Sequence, residues 1–222
     1  VFSYTYLDSG GNPDTENTIT RVFYGANDGM LHVVDDADGT EAWAFVPPDL
    51  LGSLKWMVEG VGHQIYVDAS PKIYFHDVNN DGYIDRSTDQ VILVFGERRG
   101  GTSYWALDVT DPDYPTVLWT INPGLAEFSE LGESWSEPEF GKVKYGDPEE
   151  TRHVLFIGGG YSEINTQGRA IYIVDVLTGQ KLKEFSVAAG TATGMTASIP
   201  SSLTLIDAND NGFVDKAYVG DM

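Results

Sequence analysis

The sequence predicts an all-β fold that forms part of a β-propeller, and three observations support this prediction. Short runs rich in Val, Ile, Tyr and Phe recur along the chain, and many alternate apolar with polar residues, as half-buried strands require. Helical periodicity is scarce, whereas aromatic residues make up 12% of the chain and glycines number 25, which is typical of turn-rich β proteins. Three segments also align with one another, and their prolines mark equivalent positions at Pro71, Pro138 and Pro200.

Each full repeat contains four strand-like runs, which is the content of one propeller blade. The repeats predict one domain over residues 1–222, with about three to four blades of four-stranded antiparallel sheets. Its parts are a half blade at 21–47, a helical insertion at 48–60, a blade at 65–121, a blade at 134–186 and a half blade at 195–222. A closed propeller needs at least about four blades. We therefore expect further blades from the rest of a longer protein or from another chain.

The strongest helical pattern lies in the insertion, within "PPDLLGSLKWMVEG". Asp49 stands where it could cap a helix, which would begin at the residues that follow it. One helical face would carry the apolar residues Leu50, Leu51, Leu54, Met57 and Val58. A further short helical turn is expected in "GLAEFSEL", which begins at Gly124.

The charge and composition exclude several classes of function. With 13 basic and 34 acidic residues the net charge is −21, which argues against nucleic acids and anionic membrane surfaces as partners and favours cations or basic proteins. The absence of cysteine excludes disulfides, thiolate metal sites and cysteine nucleophiles. No apolar run approaches the ~18 residues of a membrane-spanning helix.

Two acidic loops, "DVNNDGYID" at 77–85 and "DANDNGFVD" at 207–215, share one spacing. Both have oxygen-bearing side chains at positions 1, 3, 5 and 9, glycine at position 6 and a backbone carbonyl at position 7. This set suits calcium, which takes about 6–8 oxygen ligands. The predicted ligands of the first loop are Asp77, Asn79, Asp81, the Tyr83 carbonyl and Asp85. Those of the second loop are Asp207, Asn209, Asn211, the Phe213 carbonyl and Asp215.

Like-charge repulsion supports the calcium interpretation of the acidic loops. Two carboxylates ~4 Å apart repel by ~4 kcal/mol at an effective dielectric constant near 20, so three in one loop favour a bound cation. The alternative is an ordinary turn, because Asp, Asn and Gly are common turn residues. Two copies at matching places in the repeat favour calcium. We expect the first loop, with three ligand carboxylates, to bind more tightly than the second, with two, and the middle repeat, with "KYGDPEETRH", not to bind.

Other candidate motifs favour structural roles. The run "FIGGGYSE" lacks the Lys-Ser/Thr pair of a phosphate-binding loop, and the four histidines lack metal-ligand spacing. No nucleophile elbow or catalytic triad is suggested. Arg98 and Arg99 are expected to pair with carboxylates of the blades or to contact an acidic partner. Four tryptophans at repeated positions are expected to pack between blades: Trp43, Trp105, Trp119 and Trp135.

Several strings together resemble one known family. "VFYGANDGMLHVVDDADGTEAWAFVPPDLL" and "FGERRGGTSYWALDVTDP" resemble the C-terminal propeller of the PilY-type proteins, which are tip-associated adhesins and assembly factors of type IV pili. The resemblance runs from about Arg21 to Met222. It implies an exported, non-enzymatic, modified β-propeller displayed extracellularly at the pilus tip. It also implies calcium at 77–85, with the same pattern at 207–215, and minor pilins and a host or surface receptor as partners.

Two other families share parts of the pattern and remain alternatives. "VVDDADGTEAW" and "IVDVLTGQKL" resemble the blade motif of quinone-dependent dehydrogenase propellers, which also use calcium. Against an enzyme of that kind, the chain has no adjacent cysteine pair and no evident quinone pocket. Integrin-type propellers carry similar acidic loops and bind cell-surface ligands, but they have such a loop in successive blades, and the middle repeat lacks one.

Overall fold

The computed structural model describes residues 1–60 and 62–222, and the fold is a row of antiparallel sheets. Three sheets have four strands each, in the sequential order of up-and-down blades. The strands of blade 1 are β1 (Phe2–Tyr4), β2 (Ile19–Gly25), β3 (Leu31–Asp35) and β4 (Glu41–Phe45). Those of blade 2 are β5 (Lys72–His76), β6 (Gln90–Gly96), β7 (Tyr104–Asp108) and β8 (Thr116–Ile121).

The third blade and a final two-stranded sheet follow in the chain. The strands of blade 3 are β9 (Glu139–Tyr145), β10 (Glu150–Gly158), β11 (Ala170–Asp175) and β12 (Lys181–Ser186). The final sheet pairs β13 (Thr204–Ile206) with β14 (Lys216–Tyr218). The helical elements are α1 (Lys55–Glu59) and two 3-10 turns, at Thr15–Asn17 and at Ala126–Phe128. The predicted all-β propeller fold is therefore confirmed, and the second 3-10 turn lies where "GLAEFSEL" predicts one.

The first sheet is larger than the half blade predicted at 21–47. It has four strands, because β1 pairs with β2 from Phe2 opposite Arg21 to Tyr4 opposite Ile19. The sequence repeat does not extend to β1, because this strand has only three residues and residues 5–18 separate it from β2. The segment 195–222, also predicted as a half blade, contains the two-stranded sheet.

The insertion at 48–60 contains a short helix, as predicted, but the helix covers only the five residues of α1, and the start and capping residue predicted for it are wrong. Leu54 stands at the N-cap position of α1, and Asp49 does not cap the helix. Successive turns form the part before α1, with Leu50 N–H donating to the Pro47 carbonyl and Ser53 N–H donating to the Leu50 carbonyl. Two prolines and a glycine near its start do not favour a continuous helix.

Burial in the insertion also differs from the predicted apolar face. Leu50 is buried and Leu54 packs against the core between blades 1 and 2. Leu51, Met57 and Val58 are exposed, and Val58 is 91% exposed. The segment therefore presents much of its apolar surface to solvent rather than to the propeller.

The core is a series of apolar layers between consecutive sheets. Between blades 1 and 2 the layer includes Val33 and Phe95, and between blades 2 and 3 it includes Val94 and Tyr172. Phe156 of blade 3 packs in a smaller cluster with residues of the final sheet. Each sheet thus covers a face of its neighbour, as propeller blades do. Within the described ranges, no helix is long and apolar enough to span a membrane.

Tryptophans on the outer strands fix neighbouring blades to one another. Trp43 of blade 1 donates its indole N–H to the Pro112 carbonyl of blade 2, and Trp119 of blade 2 donates to the Val176 carbonyl of blade 3, both at 2.8 Å. Gly179 lies against the Trp119 ring, where a Cβ would come within 2.7 Å of the indole. The motif that resembles quinone dehydrogenase blades thus serves blade packing in this chain. Trp105 is buried as expected, whereas Trp135 lies outside the strands.

Candidate metal-binding loops

The two acidic loops occupy equivalent places in the fold. The first, 77–85, follows β5 and leads towards β6, and the second, 207–215, joins β13 to β14. Each therefore follows the first strand of its sheet. In blade 3 the corresponding connection is the short turn at 146–149, which has no room for a nine-residue loop.

In the first loop the side chains at positions 1, 3 and 5 turn inward. Asp77 accepts hydrogen bonds from the N–H groups of Gly82 at 2.8 Å and Asp81 at 3.3 Å. The Asn79 Oδ1 atom accepts from the same Asp81 N–H at 3.1 Å, and Asp81 Oδ1 accepts from Tyr83 N–H at 2.8 Å. The oxygen atoms of all three side chains therefore bond to N–H groups of the loop itself.

The second loop repeats this hydrogen-bond pattern. Asp207 accepts from the N–H groups of Gly212 at 2.6 Å and Asn211 at 3.1 Å, and Asn211 Oδ1 accepts from Phe213 N–H at 2.9 Å. Asn209 instead donates its backbone N–H to Asp207 Oδ1 at 3.2 Å. The two sequences thus form closely similar loops, one with Asp and one with Asn at position 5.

The backbone of both loops enters the left-handed region at the same two positions. Asn80 and Asp210, at position 4, both have φ of 58°, and Gly82 and Gly212, at position 6, have φ of 80° and 83°. Asn and Asp tolerate this region better than most residues, and glycine adopts it without steric cost. The residue types at positions 4 and 6 therefore explain why the chain can turn so sharply.

Position 9 differs between the loops. Asp85 Oδ1 accepts from the N–H and Oγ–H groups of Ser87, at 2.8 and 2.7 Å. Asp215 Oδ2 instead accepts from Ala208 N–H at 2.8 Å, so it closes the base of its own loop. Asp85 therefore bonds through Oδ1 to a residue beyond its loop, whereas Asp215 bonds within its loop.

The first loop is closed by a residue that the sequence analysis did not identify. Buried Asp89 accepts from Val78 N–H at 3.0 Å and from Asp85 N–H at 2.9 Å, and so joins the two ends of the loop. The acidic residue immediately before β6 was the only signal for it in the sequence. Asp89 takes the position-2 N–H that Asp215 takes in the second loop, so Asp85 does not close the base of its own loop as Asp215 does.

Hydrogen bonds favour the ionised form of two of the predicted ligands. Bonds from the hydroxyl and the N–H of Ser87 lower the pKa of Asp85. For Asp207, partial loss of hydration raises the pKa, but backbone N–H groups led by those of Gly212 and Asn211 outweigh it, and the net pKa is lowered. Both side chains are therefore carboxylates at neutral pH, which is the form that binds a cation.

The donor atoms fit a hard cation such as calcium, although the side chains are not gathered around a common centre. Across the described ranges, no three Asp, Glu, His or Cys side chains lie close enough to hold a metal ion. In the first loop the carboxylates of the predicted ligands bond to the loop's own N–H groups and to Ser87, and in the second loop only two of the predicted ligands, Asp207 and Asp215, are carboxylates. Carboxylate, amide and carbonyl oxygens are nevertheless the ligands that calcium takes. Positions 1, 3 and 5 are already close together in both loops.

Each loop is attached to a neighbouring sheet or segment. Ile84, only 2% exposed, donates its N–H to the Thr5 carbonyl at 2.9 Å and accepts from Leu7 N–H at 3.0 Å. In the second loop, Val214 N–H donates to the Lys142 carbonyl of blade 3 at 2.9 Å. Order within each loop is therefore linked to contacts between parts of the fold that are distant in sequence.

Arg98 and Arg99 both contact other residues of the fold. Arg99 pairs with Asp68 at 3.0 Å, as expected for an arginine that meets a carboxylate of the propeller. Arg98 instead places its guanidinium over the Trp135 ring, 4.9 Å from the centroid. The Arg99 charge is therefore paired, whereas Arg98 makes a cation–π contact and its buried Nε has no hydrogen-bond partner within the described residues.

A family model described as the PilY1 β-propeller domain matches residues 5–222. The chain belongs to this PilY1 propeller family. The type IV pilus biogenesis factor PilY1 of Pseudomonas aeruginosa is 34% identical over 209 residues, which covers 91% of this chain and 16% of that protein. A PilY1 homologue of Xylella fastidiosa is 32% identical over 213 residues, which covers 91% of this chain and 13% of that protein.

A solved structure agrees with these PilY1 relatives. The crystal structure of the P. aeruginosa PilY1 C-terminal domain superposes with a TM-score of 0.66 at 34% identity, covering 90% of this chain and 36% of that one. The chain thus spans about one sixth of the P. aeruginosa relative. The resemblance to PilY-type proteins is confirmed, and the relatives are named as pilus biogenesis factors, which associates this propeller with type IV pili.

Proposed function

We propose that this chain is a calcium-binding, non-enzymatic propeller segment of a type IV pilus biogenesis protein. The observation that carries the proposal is the repeated loop geometry, in which two sequences at equivalent places in the fold form the same hydrogen bonds from position 6 to position 1 and from position 7 to position 5. Family membership supplies the pilus context. Plain turns would not require oxygen-bearing side chains at positions 1, 3, 5 and 9 and glycine at position 6 in both loops.

The residues that would hold calcium are the ten predicted by the sequence. In the first loop these are Asp77, Asn79, Asp81, the Tyr83 carbonyl and Asp85, and in the second Asp207, Asn209, Asn211, the Phe213 carbonyl and Asp215. Bound calcium supplies positive charge among oxygens that otherwise repel one another. Because each loop is bonded to a neighbouring part of the fold, an ordered loop would also strengthen the contacts between blades.

The partners proposed are those of a pilus-tip protein outside the cell: minor pilins, a host or surface receptor and the remainder of the propeller. A site for the remaining propeller is suggested by an open apolar cavity of about 510 Å³ beside the second loop. Val143, Ile173, Leu182 and Phe213 line it, and the adjacent strand β14 is exposed throughout. We propose that further strands of the same protein extend the β13–β14 sheet and cover this face.

The calcium proposal is tested by calorimetric titration of the chain with calcium. We expect two sites in the wild-type chain, one of which is lost in Asp77→Ala and the other in Asp207→Ala, because each aspartate is the first ligand of its loop. Glu149→Ala, in the turn of blade 3 that lacks the loop pattern, should retain both sites. Absence of binding heat in the wild-type chain would show that both loops are ordinary Asx turns and not calcium sites.

A further inference from the structure

The insertion at 48–60 is attached to the propeller at few points. Leu50 enters the core between blades 1 and 2, and the Tyr66 hydroxyl donates to the Ser53 carbonyl at 2.9 Å. The polar side-chain attachment is made by Asp49, which accepts a hydrogen bond from the Ser103 hydroxyl of blade 2. Asp49 itself is exposed, so solvent reaches this attachment from one side.

The carboxyl group of Glu97 lies directly behind this attachment. Glu97 is fully buried, with 0% exposure, although it carries an ionisable side chain. Its Oε1 atom accepts from the Trp105 indole N–H at 3.0 Å, and its Oε2 atom accepts from Ser103 N–H at 3.3 Å. Because the N–H of Ser103 bonds to Glu97 and its hydroxyl bonds to Asp49, the two carboxyl groups meet at one residue, close enough to interact with each other. A hydrogen bond between two carboxyl groups requires that one of them carries a proton.

No cation neutralises this pair within the described part of the chain. Arg99, two residues further on, is paired with Asp68, and the Arg98 guanidinium lies over Trp135. The groups that face Glu97 are Asp49 from the insertion together with Ser103 and Trp105 from blade 2. Asp49 is the one ionisable side chain among them, so its negative charge acts on Glu97 without compensation.

We propose that Glu97 and Asp49 share a proton that fastens the insertion 48–60 to blade 2, so that this attachment weakens as the pH rises. The buried Glu97 is the proton donor, and the exposed Asp49 is the acceptor. Burial, followed by the charge of Asp49, raises the pKa of Glu97 to about 8. The pair therefore determines how firmly the exposed apolar side chains of the insertion, including Trp56 and Val58, are held on the propeller.

The direction of the pH effect follows from proton linkage. When the insertion lifts away, Glu97 meets water and its pKa returns towards its ordinary value of 4.5. Below this value the attachment has its full stability, because Glu97 carries a proton in both states. Between pH 4.5 and about 8 opening releases one proton, so the opening equilibrium constant rises about tenfold per pH unit. Above about 8 both states are ionised, and the attachment stays at its weakest.

Hydrogen exchange of the insertion amides between pH 5 and 9 tests the proposal. Opening constants are obtained for Ser53, Trp56 and Met57 after correction for the intrinsic exchange rate. For the wild-type chain we expect the opening constant to rise about tenfold per pH unit and to stay constant above about pH 8. Glu97→Gln keeps a neutral donor for Asp49 and should remove the slope.

Two further variants keep the test decisive. Asp49→Asn lies at an exposed position, and its amide can donate to ionised Glu97, so the slope should become shallower even if Glu97→Gln folds poorly. His63→Gln changes a titratable residue in the same connection and should retain the wild-type slope. Opening constants that do not change with pH in the wild-type chain, or a slope that persists in Glu97→Gln, would overturn the proposal.

Discussion

Removal of calcium is expected to lower the melting temperature of the chain by roughly 10–20 °C. At a calcium concentration about 100 times Kd, each site adds about 2.7 kcal/mol to the free energy of unfolding, and two sites add about 5 kcal/mol. For a domain of about 200 residues, each kcal/mol shifts the melting temperature by roughly 2–4 °C. Differential scanning calorimetry in calcium and in chelator measures the shift directly.

The matched control for this prediction is the double variant Asp77→Ala/Asp207→Ala. Each substitution removes the carboxylate that accepts the position-6 N–H of its loop, so some loss of stability is expected in chelator as well. The calcium-dependent part of the shift should nevertheless disappear. Equal melting temperatures of the wild-type chain in calcium and in chelator would show that the loops do not couple a cation to folding.

Gly160→Ala is expected to destabilise the fold by about 4 kcal/mol or more. Gly160 has φ of 92°, and a Cβ there would lie 2.0 Å from the Glu133 carbonyl oxygen, a backbone atom that cannot move aside. Its N–H also bonds to the Ile199 carbonyl at 3.0 Å, where the segments that lead into blade 3 and the final sheet meet. Denaturant unfolding measures the loss of free energy.

Gly39→Ala provides the control that separates steric contact from backbone strain. Gly39 also has a positive φ, of 74°, but a Cβ at this position would meet no atom within 4 Å. Only the cost of the left-handed conformation applies there, about 1–2 kcal/mol. Similar losses in the two variants would mean that the close approach of Glu133 to Gly160 does not limit the fold.

The blades could be predicted because their strands repeat a pattern set by burial. Runs such as 90–96 alternate or concentrate apolar residues according to the layers that they face, and each repeat carries the same turns. Strand β1 could not be found in this way, since three residues carry too little periodicity. The apolar spacing in the insertion was misleading about the extent of the helix, because spacing shows which residues would share a face but not whether a helix forms there.

The acidic loops could be predicted in residue type and position but not in detail. Spacing alone indicated the oxygens of Asp77 and Asp207, and the structure places them at equivalent points. The role of Asp89 could not be read from sequence, because it lies outside the repeated pattern and acts by joining two distant N–H groups. The contact between Glu97 and Asp49 is equally hidden, because it depends on how the insertion folds back onto blade 2.

The most direct test of calcium binding by the two loops is to exchange their residues at position 5 and to measure the calcium affinity of each loop. Asp81→Asn gives the first loop the ligand charge of the second, and Asn211→Asp does the reverse, while Oδ1 can still accept the position-7 N–H in each case. Each affinity is measured by calorimetry with the other loop disabled by alanine at position 1. We expect Asp81→Asn to bind about tenfold more weakly and Asn211→Asp about tenfold more tightly. Unchanged affinities in both variants would contradict the assignment of these side chains as calcium ligands.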